Sequence, residues 1–256
     1  QTEKYDGSSW TETGDLNTAR AYMMGGGTQT SAIGAGGQST PPTTTQGIAE
    51  EFNGSAWTET GDLNTARFKL AGWGATAEAV IAVGGATSPG ANEVANAETF
   101  NGSAWSETGD LNTARQSSGS FGASSTSGIV AGGNPSPPSD TGATESWNGT
   151  SWTEVNDLNT SRTQLAGFGT ASDDGYVAGG YDYGPDAGST TTENWNGTAW
   201  TEVGDLASDK WEMGAGGSAT SGLLAGGDEF GANLATSEEW TFPSAPAVQL
   251  GQVWFN

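Results

Sequence analysis

Cysteine and histidine are both absent from these 256 residues. Without cysteine there is no disulfide framework and no thiolate metal site. Without histidine the chain lacks the commonest general base, the usual partner of a nucleophilic serine and the usual zinc ligand. Cations are scarce: 7 Lys+Arg stand against 30 Asp+Glu, a formal charge of -23. That balance excludes a grip on nucleic-acid phosphates and disfavours docking on an anionic membrane surface. No apolar run approaches the roughly 18 residues of a membrane span. No secretory signal pattern opens the sequence, and its first residue is Gln rather than Met, as processing or truncation upstream would leave it. Sustained helical periodicity is missing as well.

Glycine, at 42 residues, and repetition are what the chain has in quantity. Trp-Thr-Glu-Thr-Gly-Asp-Leu-Asn-Thr-Ala-Arg at residues 10–20 returns at 57–67, 105–115 and 152–162, and in weaker form at 200–210. The lead tryptophans are Trp10, Trp57, Trp105, Trp152 and Trp200, so the period is 47 or 48 residues. A fixed period of that size means stacked supersecondary units that bury their faces against one another. Positions common to every copy then build the scaffold, and specific function belongs where the copies differ.

Each period reads as four strands. In residues 67–110 a run of small residues (69–76) precedes an apolar run ending in Gly84-Gly85. A variable loop follows, then an aromatic strand with Phe100, the step Asn101-Gly102, and the strand led by Trp105. Strand-sized runs bounded by turn residues predict strands, and Asn-Gly predicts a type I′ hairpin between the last two. The small-residue runs suit innermost strands, where backbones crowd about an axis. Four strands per period, repeated about that axis, give an all-β, five-bladed β-propeller.

The order of Gly-Gly strand, variable loop, aromatic strand and Trp strand resembles the kelch repeat over residues 1–242. The wording Trp-Asn-Gly-Thr-Ser-Trp, Asp-Leu-Asn-Thr-Ala-Arg and Ala-Gly-Gly is similar to repeats in virion structural proteins, such as tail fibres, of marine bacteriophages. The resemblance implies a non-enzymatic structural or adhesion module on a virion or other extracellular surface. Other virion or surface proteins, a host-surface glycan and further copies of the chain in a homo-oligomer are the partners it suggests. The alternative is a carbohydrate-active propeller, a lectin or a glycoside hydrolase. Residues 243–256 read as a Pro/Ala linker and the start of a further strand or module. The chain starts and stops near the aromatic strand, so five blades close if N-terminal strands around Trp10 join the last blade, leaving one aromatic strand surplus.

Arg20, Arg67, Arg115 and Arg162 share one repeat position, and Glu50, Glu98, Glu145 and Glu193 share another. They form either buried ion pairs or an arginine ring for an anion, and their recurrence in successive copies favours the ion pairs. Together with the lead tryptophans they are read as structural. The Asp and Asn of Asp-Leu-Asn-Thr (Asp62 and Asn64, for example) offer oxygen ligands to calcium, but turn capping explains them better. No metal or other cofactor is assigned. The glycine-rich runs lack the Gly-Lys-Ser/Thr ending of a phosphate cradle. The loops after the Gly pairs, residues 38–47, 86–95, 134–142, 181–190 and 228–235, vary between copies. Loops held by a rigid scaffold are where recognition concentrates. Tyr181, Asp182, Tyr183 and Phe230 are the binding candidates, and no catalytic residue is assigned.

Overall fold

The computed structural model describes residues 1–39, 43–88 and 92–241; the tail and the Pro41-Pro42 pair lie outside the described residues. Every helix or strand described is a strand. An N-terminal hairpin is β1 (Glu3–Tyr5) and β2 (Trp10–Glu12). The first blade is β3 (Met24–Thr28), β4 (Ser31–Ala35), then, past a small hairpin of β5 (Gln38–Ser39) and β6 (Thr44–Thr45), β7 (Ala49–Phe52) and β8 (Trp57–Glu59). The second is β9 (Ala71–Gly74), β10 (Val80–Val83), β11 (Ala97–Phe100) and β12 (Trp105–Glu107). The third is β13 (Gly119–Ser124), β14 (Ser127–Ala131), β15 (Thr144–Trp147) and β16 (Trp152–Val155). The fourth is β17 (Ala166–Phe168), β18 (Gly175–Ala178), the small hairpin β19 (Tyr181–Asp182) and β20 (Ala187–Gly188), β21 (Thr192–Trp195) and β22 (Trp200–Glu202). The fifth is β23 (Gly214–Ser218), β24 (Ser221–Ala225), the small hairpin β25 (Asp228–Glu229) and β26 (Ala232–Asn233), and β27 (Ser237–Thr241).

Each blade is an antiparallel sheet in sequence order, four-stranded in the first four and three-stranded in the fifth. The chain is therefore a five-bladed β-propeller. Inner strands β3, β9, β13, β17 and β23 stand side by side in that order, and their Gly, Ala and Ser residues line an axial channel of about 430 Å³. Among the described residues, four apolar clusters fill the four spaces between successive blades, such as Met24, Ile33, Val80 and Phe100 between the first two. Burial on this scale is the main favourable term in the fold.

The outer hairpins fall at the Asn-Gly steps, but not as type I′ turns. Phe52 pairs with Trp57, so the loop has four residues. Gly54 takes φ +94, whereas Asn53 does not have the positive φ that a type I′ turn needs. Asn53 Oδ1 accepts the amides of Ser55 and Ala56, each at 3.0 Å. The asparagine side chain thus organises a longer loop, and only the glycine needs the left-handed region. Both members of each Gly pair are also left-handed, as with Gly84 (φ +62) and Gly85 (φ +97). They turn the chain off the apolar strand while the Gly85 amide bonds the Arg115 carbonyl of the next segment at 2.9 Å.

N-terminal strands do close the ring, though in a different way from the sequence expectation. β1 and β2 pair with each other, Tyr5 against Trp10, and β2 does not extend the sheet that ends at β27. The hairpin sits in the seam between the fifth and first blades. Trp10 Nε1 reaches Ser237 Oγ at 3.4 Å on one side, and Thr2 Oγ1 accepts from Trp57 Nε1 at 2.9 Å on the other. The turn of this hairpin is capped by its own side chain, as in the other outer hairpins. Asp6 Oδ1 accepts the Ser8 and Ser9 amides at 2.8 Å, which together with the serine hydroxyls holds the Asp6 carboxyl down at about 2. Neither aromatic strand is loose: Tyr5 lies in β1 on β2, and Trp240 in β27 on β24.

Candidate functional site

The repeated charges meet in pairs that link neighbouring blades. Arg67 Nη2 lies 3.0 Å from Glu98, Arg115 Nη1 2.8 Å from Glu145 and Arg162 Nη1 2.6 Å from Glu193, every side chain buried. Arg20 meets Glu50 in the same way, and Lys210 takes the position opposite Glu238. The second carboxylate oxygen is filled from the Asp-Leu-Asn-Thr segment: Asn64 donates its backbone and side-chain N–H to Glu98 Oε2 at 2.7 and 2.8 Å. Asp62 Oδ1 accepts the Ala49 amide at 3.3 Å. These groups are consumed in holding blades together. Among the described residues no group of three or more Asp and Glu is placed to hold a metal. Burial pushes the Arg67 and Arg115 guanidinium pKa down, against the pull of Glu98 and Glu145 respectively. For Glu50, burial opposes ionisation, but the Arg20 and Asn17 donors outweigh it and leave the carboxyl below its ordinary value.

Trp105, Trp152 and Trp200 are buried in the spaces between blades, Trp57 is half-buried, and Trp10 in the seam is 40% exposed. Each lead tryptophan packs on the aromatic residue of its own hairpin, as Trp147 on Trp152 with centroids 5.0 Å apart.

The variable loops share one face. The residue after each Gly pair bridges the residue that follows the Arg or Lys leading into its own blade: Ala21 with Gln38, Phe68 with Ala86, Gln116 with Asn134, Thr163 with Tyr181 and Trp211 with Asp228. One residue further on, Tyr22, Lys69, Ser117, Gln164 and Glu212 all take φ between 54 and 59. Left-handed backbone at a residue with a side chain is strained by about 1 kcal/mol or more and clusters at functional sites. Here it is fixed by a relay around the axis, in which the amides of Lys69, Ser117, Gln164 and Glu212 each donate to the carbonyl one blade back at 2.7–2.9 Å.

This geometry aims five different side chains into one mouth of the channel. Lys69 Nζ lies 3.5 Å from Glu212 and 5.0 Å from the Tyr22 ring centroid, and Gln164 Nε2 donates to Glu212 Oε1 at 2.6 Å. The Glu212 charge, with burial and Asp228 behind it, raises the Tyr22 pKa. The mouth encloses about 460 Å³.

Beside it runs a row of aromatic rings across the fourth and fifth blades. Tyr183 meets Tyr181 at 5.2 Å, Tyr181 meets Trp211 at 5.2 Å, and Trp211 meets Phe230 at 5.6 Å and 88°. Phe230 is 69% exposed. Trp211 lies over Gly188, where an added Cβ would stand 2.8 Å from the indole. Three of the four sequence candidates, Tyr181, Tyr183 and Phe230, thus join one surface. Asp182 instead caps its own turn, accepting the Gly184 amide at 2.8 Å. Asp186 accepts from the Tyr181 hydroxyl and raises its pKa. Sequence reasoning missed Trp211, which connects the row, and the five left-handed residues. The signal was there: positions 21–22, 68–69, 116–117, 163–164 and 211–212 differ in every copy directly after an almost constant segment.

No family model matches the chain, and no curated protein matches it. Among solved structures the chain is similar to one titled "Structure of YjhT", with a TM-score of 0.77, 14% identity, and coverage of 94% of this chain and 87% of that one. At that identity the likeness is one of fold.

Proposed function

We propose that this chain is a non-enzymatic recognition module whose variable face binds a neutral saccharide, on a virion or other extracellular surface. The carrying observation is the aromatic row Tyr183, Tyr181, Trp211 and Phe230, half-buried except for the exposed Phe230, beside a mouth lined by Tyr22, Lys69, Gln164 and Glu212. Flat aromatic faces stack on the apolar faces of sugar rings, and nearby carboxylates accept their hydroxyl protons. A formal charge of -23 argues for a neutral ligand over an anionic one. The non-enzymatic reading is supported by the repeat carboxylates, which are tied into ion pairs and caps. The virion setting rests on the sequence resemblance of the repeats.

A glycan array on the intact chain tests the reading, with product analysis of every sugar that binds. Binding of neutral glycans that come off unchanged is expected. Cleavage of a bound glycan would instead establish the carbohydrate-active alternative, and an absence of glycan binding would leave the face to a protein partner.

A further inference from the structure

We infer that the channel mouth is a specificity subsite, in which Lys69, Gln164 and Glu212 read the hydroxyl configuration of one neutral hexose residue projecting from a saccharide stacked on the aromatic row. The inference rests on the saccharide reading above and adds to it which part of the sugar is read, and by which side chains. Row and mouth are two sides of the same backbone. Trp211 turns its ring to Tyr181 and Phe230, and the next residue, Glu212, lines the mouth. Thr163 bridges Tyr181 of the row, and the next residue, Gln164, lines the mouth. A sugar held on the row is thereby fixed relative to the mouth.

The loops after the Gly pairs of the first three blades, residues 38–47, 86–95 and 134–142, contain no aromatic residue. Loop stacking is therefore confined to the fourth and fifth blades, and a sugar residue that reaches from there over the axis meets the mouth. The mouth has a polar rim above an apolar floor. Met23, Leu70, Leu165 and Met213, each one residue on from a rim position, form that floor. About 460 Å³ is small as ligand pockets go, room for one sugar ring with its apolar face down and its hydroxyls toward the rim.

Donors and an acceptor are already oriented at the rim. Lys69 Nζ, at 3.5 Å, and Gln164 Nε2, at 2.6 Å, converge on Glu212 Oε1 from the second and fourth blades. A sugar hydroxyl both donates and accepts, so it can give its proton to Glu212 and take a bond from Lys69 or Gln164. All three side chains are presented from left-handed backbone, at φ 54, 56 and 56, and strain of this kind points to function. The arginines and Lys210 are committed to the repeat glutamates and Lys4 to the Gly54 carbonyl, which leaves Lys69 as the cation available to a ligand. Beside Glu212 it offers no net charge to an anion. Stacking senses the flat face of a sugar and tolerates changes of hydroxyl configuration, whereas a site built to hydrogen-bond hydroxyls discriminates strongly against a misplaced one.

The probe is an array of neutral glucose, galactose and mannose oligosaccharides, read with the intact chain and with Lys69→Gly, Gln164→Gly and Glu212→Gly. Glycine accepts the left-handed backbone, so each change removes a side chain without opposing the turn. Melting of the same samples checks folding. The parent should prefer one hexose over its epimers, and the mouth variants should reduce that preference about tenfold. Trp211→Ala should instead lower binding to every glycan alike and leave the preference in place. Unchanged preference in the folded mouth variants would overturn the inference and leave the aromatic row as the whole site. The same loss of preference in Trp211→Ala would also overturn it, because row and mouth would then not read different features. A parent that binds no glycan on the array would overturn the saccharide reading and this inference together.

Discussion

Trp211 stands edge-on to Tyr181, ring centroids 5.2 Å apart at 73°, and edge-on again to Phe230 at 88°. It therefore joins the small hairpins of two blades into one aromatic surface. Trp211→Ala should weaken ligand binding by about 2 kcal/mol or more, as a central aromatic anchor does. The melting temperature should change little, because the ring packs outside the four apolar clusters between blades. Titration and melting on the same sample separate the two effects.

The pair of Arg115 with Glu145 has a different role. Both side chains are buried, and Arg115 Nε and Nη2 have no hydrogen-bond partner. Arg115→Ala strands a buried carboxylate and should cost about 3–5 kcal/mol in chemical denaturation. Arg115→Met combined with Glu145→Gln should recover most of that loss. A single variant as stable as the parent would show the pair to be ornamental.

Acid should loosen the blades through Glu50. Its folded pKa is depressed, so the stability it contributes is complete above the ordinary glutamate value of about 4.3. That stability is lost as pH falls from there through the folded value. Denaturant midpoints should be flat from pH 7 to about 5 and fall below that, and Glu50→Gln should remove part of the slope.

Gly84 is left-handed at φ +62, and a Cβ there would stand 2.5 Å from the Arg115 carbonyl. Gly84→Ala should destabilise by about 1–3 kcal/mol through strain and displacement of that carbonyl. Gly25, where a Cβ would meet nothing within 4 Å, is the control, and Gly25→Ala should be near neutral.

The architecture was legible in the sequence because its signals are local and repeated. The Gly pairs, the Asn-Gly steps and the tryptophan period each dictate a turn or a strand without reference to the rest of the chain. The turn type was not legible, since Asn53 uses its side chain to hold a four-residue loop that the dipeptide alone does not specify. Ring closure was not either. Tyr5 and Trp240 compete for one kind of place, and the outcome depends on the spacing between the fifth and first blades, a property of the whole ring. At the site, Tyr181, Tyr183 and Phe230 stood out as loop aromatics, whereas Trp211 follows Lys210 within a weak copy of the repeat. The left-handed turn that presents Tyr22 and Lys69 is set by contacts between blades, which sequence spacing does not show.

The central claim is that the aromatic row is the recognition surface. The most direct measurement is calorimetric titration of a neutral oligosaccharide into the parent chain, Trp211→Ala, Phe230→Ala and the Tyr181→Ala, Tyr183→Ala double variant. The surface described here predicts saturable heat for the parent and affinity at least tenfold weaker for each variant, with folding intact. Equal affinity in all four proteins, or the same loss on changing a residue on the opposite end of the channel such as Thr28, would contradict it.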